Sequence, residues 1–178
     1  RDATNYAWKL TLRERREGLL GAGERYRLPF DREWNQAAGL PTNAPSTEIL
    51  GQRGNTFGRR TERWWSPMQP IPPDANFAGE EFEADRLLKL QPHLPKFRDD
   101  YVTTAPVATL GTNSLGLYHM PGNVSEWCMD QDLDGSHWAR GAAWDTGEPS
   151  KLDKYQRWTK SAGEVSGGIG FRLVLVTA

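Results

Sequence analysis

The feature that most constrains this chain is a mixture: eight Trp lie among 18 Gly and 12 Pro in 178 residues. Large aromatic side chains bury extensive area and anchor a core, whereas glycine and proline interrupt regular helix and strand. The combination predicts a packed interior threaded by much irregular backbone. A chain of this length buries roughly 70% of its extended surface on folding, enough for one core, and predicts about one domain. The single cysteine, Cys128, excludes an internal disulfide, which leaves packing, and any bound ions, to provide stability.

Charge narrows the partners. With 22 Lys and Arg against 23 Asp and Glu, the formal charge is −1 and no basic stripe stands out, which argues against a nucleic-acid ligand. No apolar run reaches the length of a bilayer span, and Arg1-Asp2-Ala3-Thr4 carries no signal-peptide pattern. A soluble chain without membrane insertion is expected, with its compartment left open.

Periodicity supplies the elements. Residues 5–17 place Tyr6, Ala7 and Leu10 opposite Arg13, Glu14, Arg16 and Glu17, the pattern of an amphipathic helix. A second, short helix is predicted over 31–38, with Gly39 as the residue that ends it. Residues 40–74 show no sustained period around Trp64-Trp65, and so long an irregular stretch is functional, stapled by an ion or mobile. A weakly helical patch over 80–90 and short strands over 105–107, 116–118, 138–140 and 171–176 follow. Two early helices followed by scattered short strands define an α+β chain.

Several short elements recur in a telling order: Tyr26-Arg27-Leu28-Pro29 with Glu33-Trp34, Ala75-Asn76-Phe77, Thr104 to Val107, Gly116-Leu117-Tyr118, Gly122-Asn123-Val124-Ser125-Glu126-Trp127, Arg140-Gly141, and Gly170-Phe171-Arg172-Leu173-Val174. In order and spacing they resemble the formylglycine-generating enzyme (sulfatase-modifying factor) family, from about Tyr6 to the C-terminus. The resemblance implies a variant of the C-type-lectin fold, with two helices beside small twisted antiparallel sheets and long loops that carry the ligand site. It also implies an opening β region before the first helix, which this sequence lacks.

The resemblance sets expectations for chemistry as well. Members that oxidise a cysteine to formylglycine carry two active-site cysteines between the strand ending in Arg140-Gly141 and the strand following Gly170. Here that interval, 142–169, contains none, so the thiolates that would bind copper are absent. Cys128 reads as a small buried apolar residue. A structural Ca2+ ion is implied at the side chains of Asn76 and Asp99 with the carbonyls of Phe77 and Tyr101. The same Asn and Asp read equally well as a turn former and a solvated carboxylate. A second ion set would use Val124 and Glu126, but His119 stands where the family has an acidic or amide ligand.

Arg140 and Arg172 sit among apolar residues in strand contexts and read as structural forks; Asn123 reads as a loop-fixing amide. His93, His119 and His137 lack zinc spacing. The remaining candidate is the segment 144–167, where aromatic residues stand among adaptable polar ones as in binding loops. Asp145, Glu148, Lys151, Lys154, Trp158 and Lys160 are its expected exposed contacts, with Trp158 as the anchor. The sequence thus predicts a non-catalytic interaction module for a protein, small-molecule or glycan ligand. By resemblance, such modules occur as sensory parts of larger bacterial proteins and as variable proteins of diversity-generating retroelements. The alternative is an oxygen-dependent oxidoreductase of the same family.

Overall fold

The computed structural model describes residues 2–42, 64 and 75–177. The first helix, α1 (Asp2–Arg16), buries Ala7 and Thr11, one turn apart. Thr11 Oγ1 donates to the Ala7 carbonyl and accepts the Tyr26 N–H, at 2.9 Å each. Tyr26 Oη donates to Glu14 at 2.8 Å. These polar stitches seat α1 on β1 (Glu24–Arg27), which pairs antiparallel with β6 (Val174–Thr177) at the other end of the chain. Tyr6, expected on the inward face, is instead 53% exposed, because the Ala7/Thr11 stripe makes the contact.

The second helix, α2 (Asp31–Ala37), opens where Glu33 accepts the Phe30 N–H at 2.7 Å, its carboxylate held in turn by both Arg27 amino groups at 2.6 and 2.8 Å. It ends as expected at Gly39, whose φ of +72° suits a residue without Cβ. Four strands form the second sheet: β2 (Ser125–Gln131), β3 (His137–Arg140), β4 (Arg157–Lys160) and β5 (Ile169–Gly170), in the order β4-β3-β2-β5. The first three pair antiparallel, and β5 lies parallel to β2.

Two apolar clusters of buried residues form the core. One gathers Ala75, Phe77, Leu94, Phe97, Ala142 and Leu152; the other gathers Trp34, Leu40, Met120, Cys128 and Tyr155. Between α2 and the sheet lies a buried ionic cluster. Asp31 is paired with Arg157 through both of its carboxylate oxygens and with Arg140 at 3.2 Å. Arg140 also donates to Asn35 Oδ1 at 2.6 Å and lies over the Trp34 ring at 4.8 Å, while Arg157 lies over the Trp138 ring at 4.4 Å. Burial holds the Arg140 guanidinium below its ordinary pKa, against the pull of Asp31. Both arginines tie elements together as expected, Arg140 as just described and Arg172 by donating to Glu126 and to the Tyr118 carbonyl.

Several predicted elements change. The patch over 80–90 forms only a 3-10 turn, Glu80–Ala84. At Asp85 the backbone extends, and the Asp85 carboxylate accepts the N–H groups of Leu87 and Leu88 at 2.7 and 2.9 Å, which ends the helix. Residues 105–107 form no strand, because the Asn123 side chain takes both the N–H and the carbonyl of Ala105. Residues 116–118 contribute one isolated bridge, Thr112 to Tyr118. The last predicted strand divides: β6 begins at Val174, and residues 171–173 cross between the sheets. Of the irregular stretch 40–74, all but 40–42 and 64 lie outside the described residues. No described helix is long and apolar enough to cross a membrane.

The ionic cluster generates a stability prediction. Removing one partner of a buried pair strands the other charge and costs about 3–5 kcal/mol. Asp31→Ala, which strands two guanidinium groups, should lower the urea-unfolding free energy by roughly that amount. A loss below about 1 kcal/mol, the scale of an exposed pair, would show that the arginines are held without it.

Candidate functional site

The segment Gly122-Asn123-Val124 frames the site. Gly122 lies against the 75–77 backbone, where a Cβ would come within 2.4 Å of the Asn76 carbonyl oxygen, so only glycine fits. Asn123 adopts φ of +74° and works as the loop-fixing amide its sequence context suggests. Its N–H donates to the Asn76 carbonyl, its carbonyl accepts the Trp144 N–H at 2.9 Å, and its side chain holds Ala105. The strand that follows delivers Ser125, whose N–H donates to the Gly168 carbonyl at 2.9 Å and whose Oγ donates to the Gly141 carbonyl at 3.2 Å.

Around this frame lies a cavity of about 290 Å³. Its walls come from 143–151, from β4, from 166–169 and from the Gln91-Pro92 turn. Five of the six residues expected to contact a ligand border it: Asp145, Glu148, Lys151, Trp158 and Lys160. Lys154 does not. Its ammonium lies 5.5 Å from the Trp64 ring centre, and its carbonyl accepts from buried Arg140.

The segment 144–167 is more regular than its composition suggests. It contains a 3-10 turn, Pro149–Lys151, and strand β4. Trp158 is therefore not a freely exposed anchor. It is partly buried in β4, and its Nε1 donates to the Gly141 carbonyl at 2.9 Å. Arg157 next to it must reach Asp31, which draws this stretch into the sheet. Leu152, Asp153 and Tyr155 are buried as well. A second tryptophan, Trp144, donates its Nε1 to the Gly167 carbonyl at 3.1 Å and pins the far wall. Ser166 borders the cavity from within the segment 144–167, whereas Ser125 and Gly168 reach it through the pairing of β2 with the stretch that enters β5, which no local sequence pattern announces.

The two calcium sets implied by resemblance behave differently. At the first, Asn76 Oδ1 is buried without a hydrogen-bond partner, as is Glu81 Oε2 nearby. Asp99 Oδ2 accepts the Phe77 N–H at 3.0 Å and Oδ1 accepts the Tyr101 N–H at 2.9 Å. Glu81 Oε1 accepts the N–H groups of Asp99 and Asp100 at 2.7 Å each. Burial pushes the Asp99 carboxyl up to about 6; its two N–H partners oppose the shift, and the charges of Glu81 and Asp100 add to it. Unpaired buried oxygens and a destabilised carboxylate fit a hard cation. Among the described residues no three His, Cys, Asp or Glu side chains are grouped to hold a metal, so amide and carbonyl oxygens would complete such a site.

The second set does not fit a cation. Both Glu126 oxygens are engaged by Arg172, at 2.5 and 2.7 Å, and one also accepts Trp34 Nε1 at 2.8 Å. Val124 packs its side chain toward Gly170. His119 is buried, with Nε2 3.3 Å from the Pro106 carbonyl.

The chain belongs to the family of the sulfatase-modifying factor enzyme 1-like domain, whose model matches residues 1–177. It is 31% identical over 104 residues to the formylglycine-generating enzyme of Streptomyces coelicolor, covering 58% of this chain and 26% of that protein. It is 26% identical over 128 residues to the chaperone protein LppX of Paenibacillus barcinonensis, covering 71% of this chain and 36% of that one. The chain thus spans about a quarter to a third of the length of these curated relatives. Its fold is shared with PvdO from Pseudomonas aeruginosa, at a TM-score of 0.61 and 22% identity over 99% of this chain and 59% of that chain. It is shared also with Treponema denticola variable protein 1, at 0.51 and 19% over 87% and 49%.

The Asp99 environment predicts a pH dependence in the presence of a chelator. The folded state holds the Asp99 proton up to about pH 6, whereas the ordinary value is 3.8. Between those values the native state binds more protons than the unfolded chain, so stability falls as pH rises through that window. Asp99→Asn, which cannot ionise, should lose that portion of the decline in urea unfolding measured from pH 4 to 7. An identical slope in the variant would refute the assignment.

Proposed function

We propose that this chain is a non-catalytic binding module and that its ligand occupies the cavity between 143–151, β4 and 166–169. The observation that carries the reading is the convergence of Asp145, Glu148, Lys151, Trp158 and Lys160 on that one cavity. One fixed indole, Trp158, a sheet edge and several hydrophilic side chains provide the mixture of rigid apolar surface and placed polar groups that small-ligand sites use. Catalysis by thiol chemistry finds no support in these residues. The one cysteine, Cys128, is fully buried and burial raises its pKa well above the ordinary value, whereas reactive thiols are partly exposed with lowered pKa values. The shared fold with a variable protein suits a module in which wall residues, more than the framework, choose the ligand.

The test is direct. Amide and indole resonances of 15N-labelled protein are followed against a panel of free amino acids, dipeptides and monosaccharides. Binding members should shift the Trp158 indole and the Asp145 and Gly168 amides, and Ser166→Trp, which places bulk at an exposed rim position, should weaken them at least tenfold. The reading is wrong if shifts map elsewhere, if no panel member moves these signals, or if Ser166→Trp binds as well as the wild type.

We also propose that Asn76 and Asp99, with the carbonyls of Phe77 and Tyr101, hold one structural calcium ion. The unpaired Asn76 Oδ1 supports this reading. Bound calcium would stabilise the native state by mass action, by about 2.7 kcal/mol at a hundredfold excess over Kd. The melting temperature should rise with calcium, and Asp99→Ala should abolish the rise; equal melting in calcium and in chelator would overturn the site.

A further inference from the structure

Asp145 and Glu148 on the cavity wall are equal in number to Lys151 and Lys160, but their pairing is uneven, and that pairing identifies a ligand class. Lys151 Nζ is paired with Glu148 Oε1 at 2.7 Å, and Lys160 Nζ with Glu164 Oε1 at 2.5 Å. Each lysine on the wall therefore already has a carboxylate. Asp145 has no hydrogen-bond or ion-pair partner on its carboxylate among the described residues, and it faces the glycine at 168. A Cβ at Gly168 would lie 3.2 and 3.4 Å from the two Asp145 oxygens, so the absence of a side chain there leaves the carboxylate its space. Among the described residues Asp145 is thus the one charged side chain of the wall without an ionic partner, because Glu164, which lies outside the wall, takes up Lys160.

We propose that the cavity binds a primary ammonium group, with Asp145 as its counter-ion; this rests on the cavity being the binding site. An ammonium brings three N–H donors and no acceptor, and this wall is rich in acceptors. On the same cavity wall, Ser125 Oγ and Ser166 Oγ retain lone pairs: the first donates its hydrogen to the Gly141 carbonyl, and the second already accepts the Gly168 N–H at 3.2 Å. The Trp158 ring adds an electron-rich face, fixed because its Nε1 is anchored at Gly141. At about 290 Å³ the cavity suits a short alkyl chain behind the charged head rather than a large ligand. An anion would meet lysines whose charge Glu148 and Glu164 already offset, and would lie against the Asp145 carboxylate.

The experiment titrates n-butylammonium, 1-butanol, butyrate and tetramethylammonium into 15N-labelled wild-type protein and Asp145→Asn. Asp145 is exposed and unpartnered, so the variant should fold as the wild type does. The expected result is that n-butylammonium shifts the Trp158 indole and the Asp145 and Gly168 amides, and binds more tightly than the alcohol, butyrate or tetramethylammonium. Asp145→Asn should weaken it roughly tenfold or more, the scale of a lost charge-assisted hydrogen bond. Nα-acetyl-lysine methylamide separates the sources: binding at least as tight as n-butylammonium assigns the ammonium to a peptide lysine, and exclusion assigns it to a free small amine. Butyrate binding as well as n-butylammonium, or equal n-butylammonium affinity in Asp145→Asn, overturns the ammonium assignment. If the amines leave these resonances unmoved while a panel ligand shifts them, the assignment falls and the binding site stands; if nothing shifts them, both fall.

Discussion

The structure depends on one carboxylate shared by two arginines. Asp31 sits at the start of α2, while Arg140 ends β3 and Arg157 begins β4, directly opposite each other in the sheet register. Two adjacent guanidinium groups would repel each other in a medium of low dielectric, and the cluster is stable only because Asp31 bridges both while Trp34 and Trp138 offer their ring faces. The arrangement fixes the height of α2 over the sheet. It also sets where β4 must begin, and so which side chains of that strand face the cavity. A buried charge cluster of this kind specifies geometry more than it adds stability, since the pairing largely repays desolvation.

A second set of bonds, centred on Asn123, joins parts of the chain far apart in sequence. One residue in a left-handed conformation links Asn76, Ala105 and Trp144. The apolar cluster around Phe77 and the wall at 143–146 are therefore coupled through a single backbone turn. Gly122 makes that turn possible by bringing two backbones into contact. Glu126, three residues on, completes the frame by joining α2 through Trp34 and the crossing segment through Arg172.

Local patterning foretold the helices well, because their ends carry chemical signals such as Gly39 and their periods are long enough to register. It foretold the short strands unevenly. The stretch 105–107 looks extended, and its backbone groups are indeed satisfied, but by the Asn123 side chain, a partner 18 residues away that no local pattern announces. The sequence marks out the segment that brings Trp158 to the cavity but not the manner of its burial, which follows from the reach of Arg157 to Asp31 across 126 residues. Lys154 lies away from the cavity for a related reason: its carbonyl accepts from Arg140. The cavity itself could be read only in part, since Asp145 to Lys160 are contiguous whereas Ser125 and Gly168 join them through strand pairing.

The segment 144–167 divides its labour residue by residue. Leu152, Asp153, Tyr155 and Arg157 face inward and carry the fold, while Asp145, Lys151 and Ser166 are exposed and touch little beyond their neighbours. Exposed positions of that kind usually tolerate substitution within about 0.5 kcal/mol. Within this segment the exposed cavity-lining side chains at 145, 151 and 166 are distinct from the buried ones that hold the fold. Single side chains at the cavity rim can therefore be replaced while the interior stays an unchanged mould beneath them.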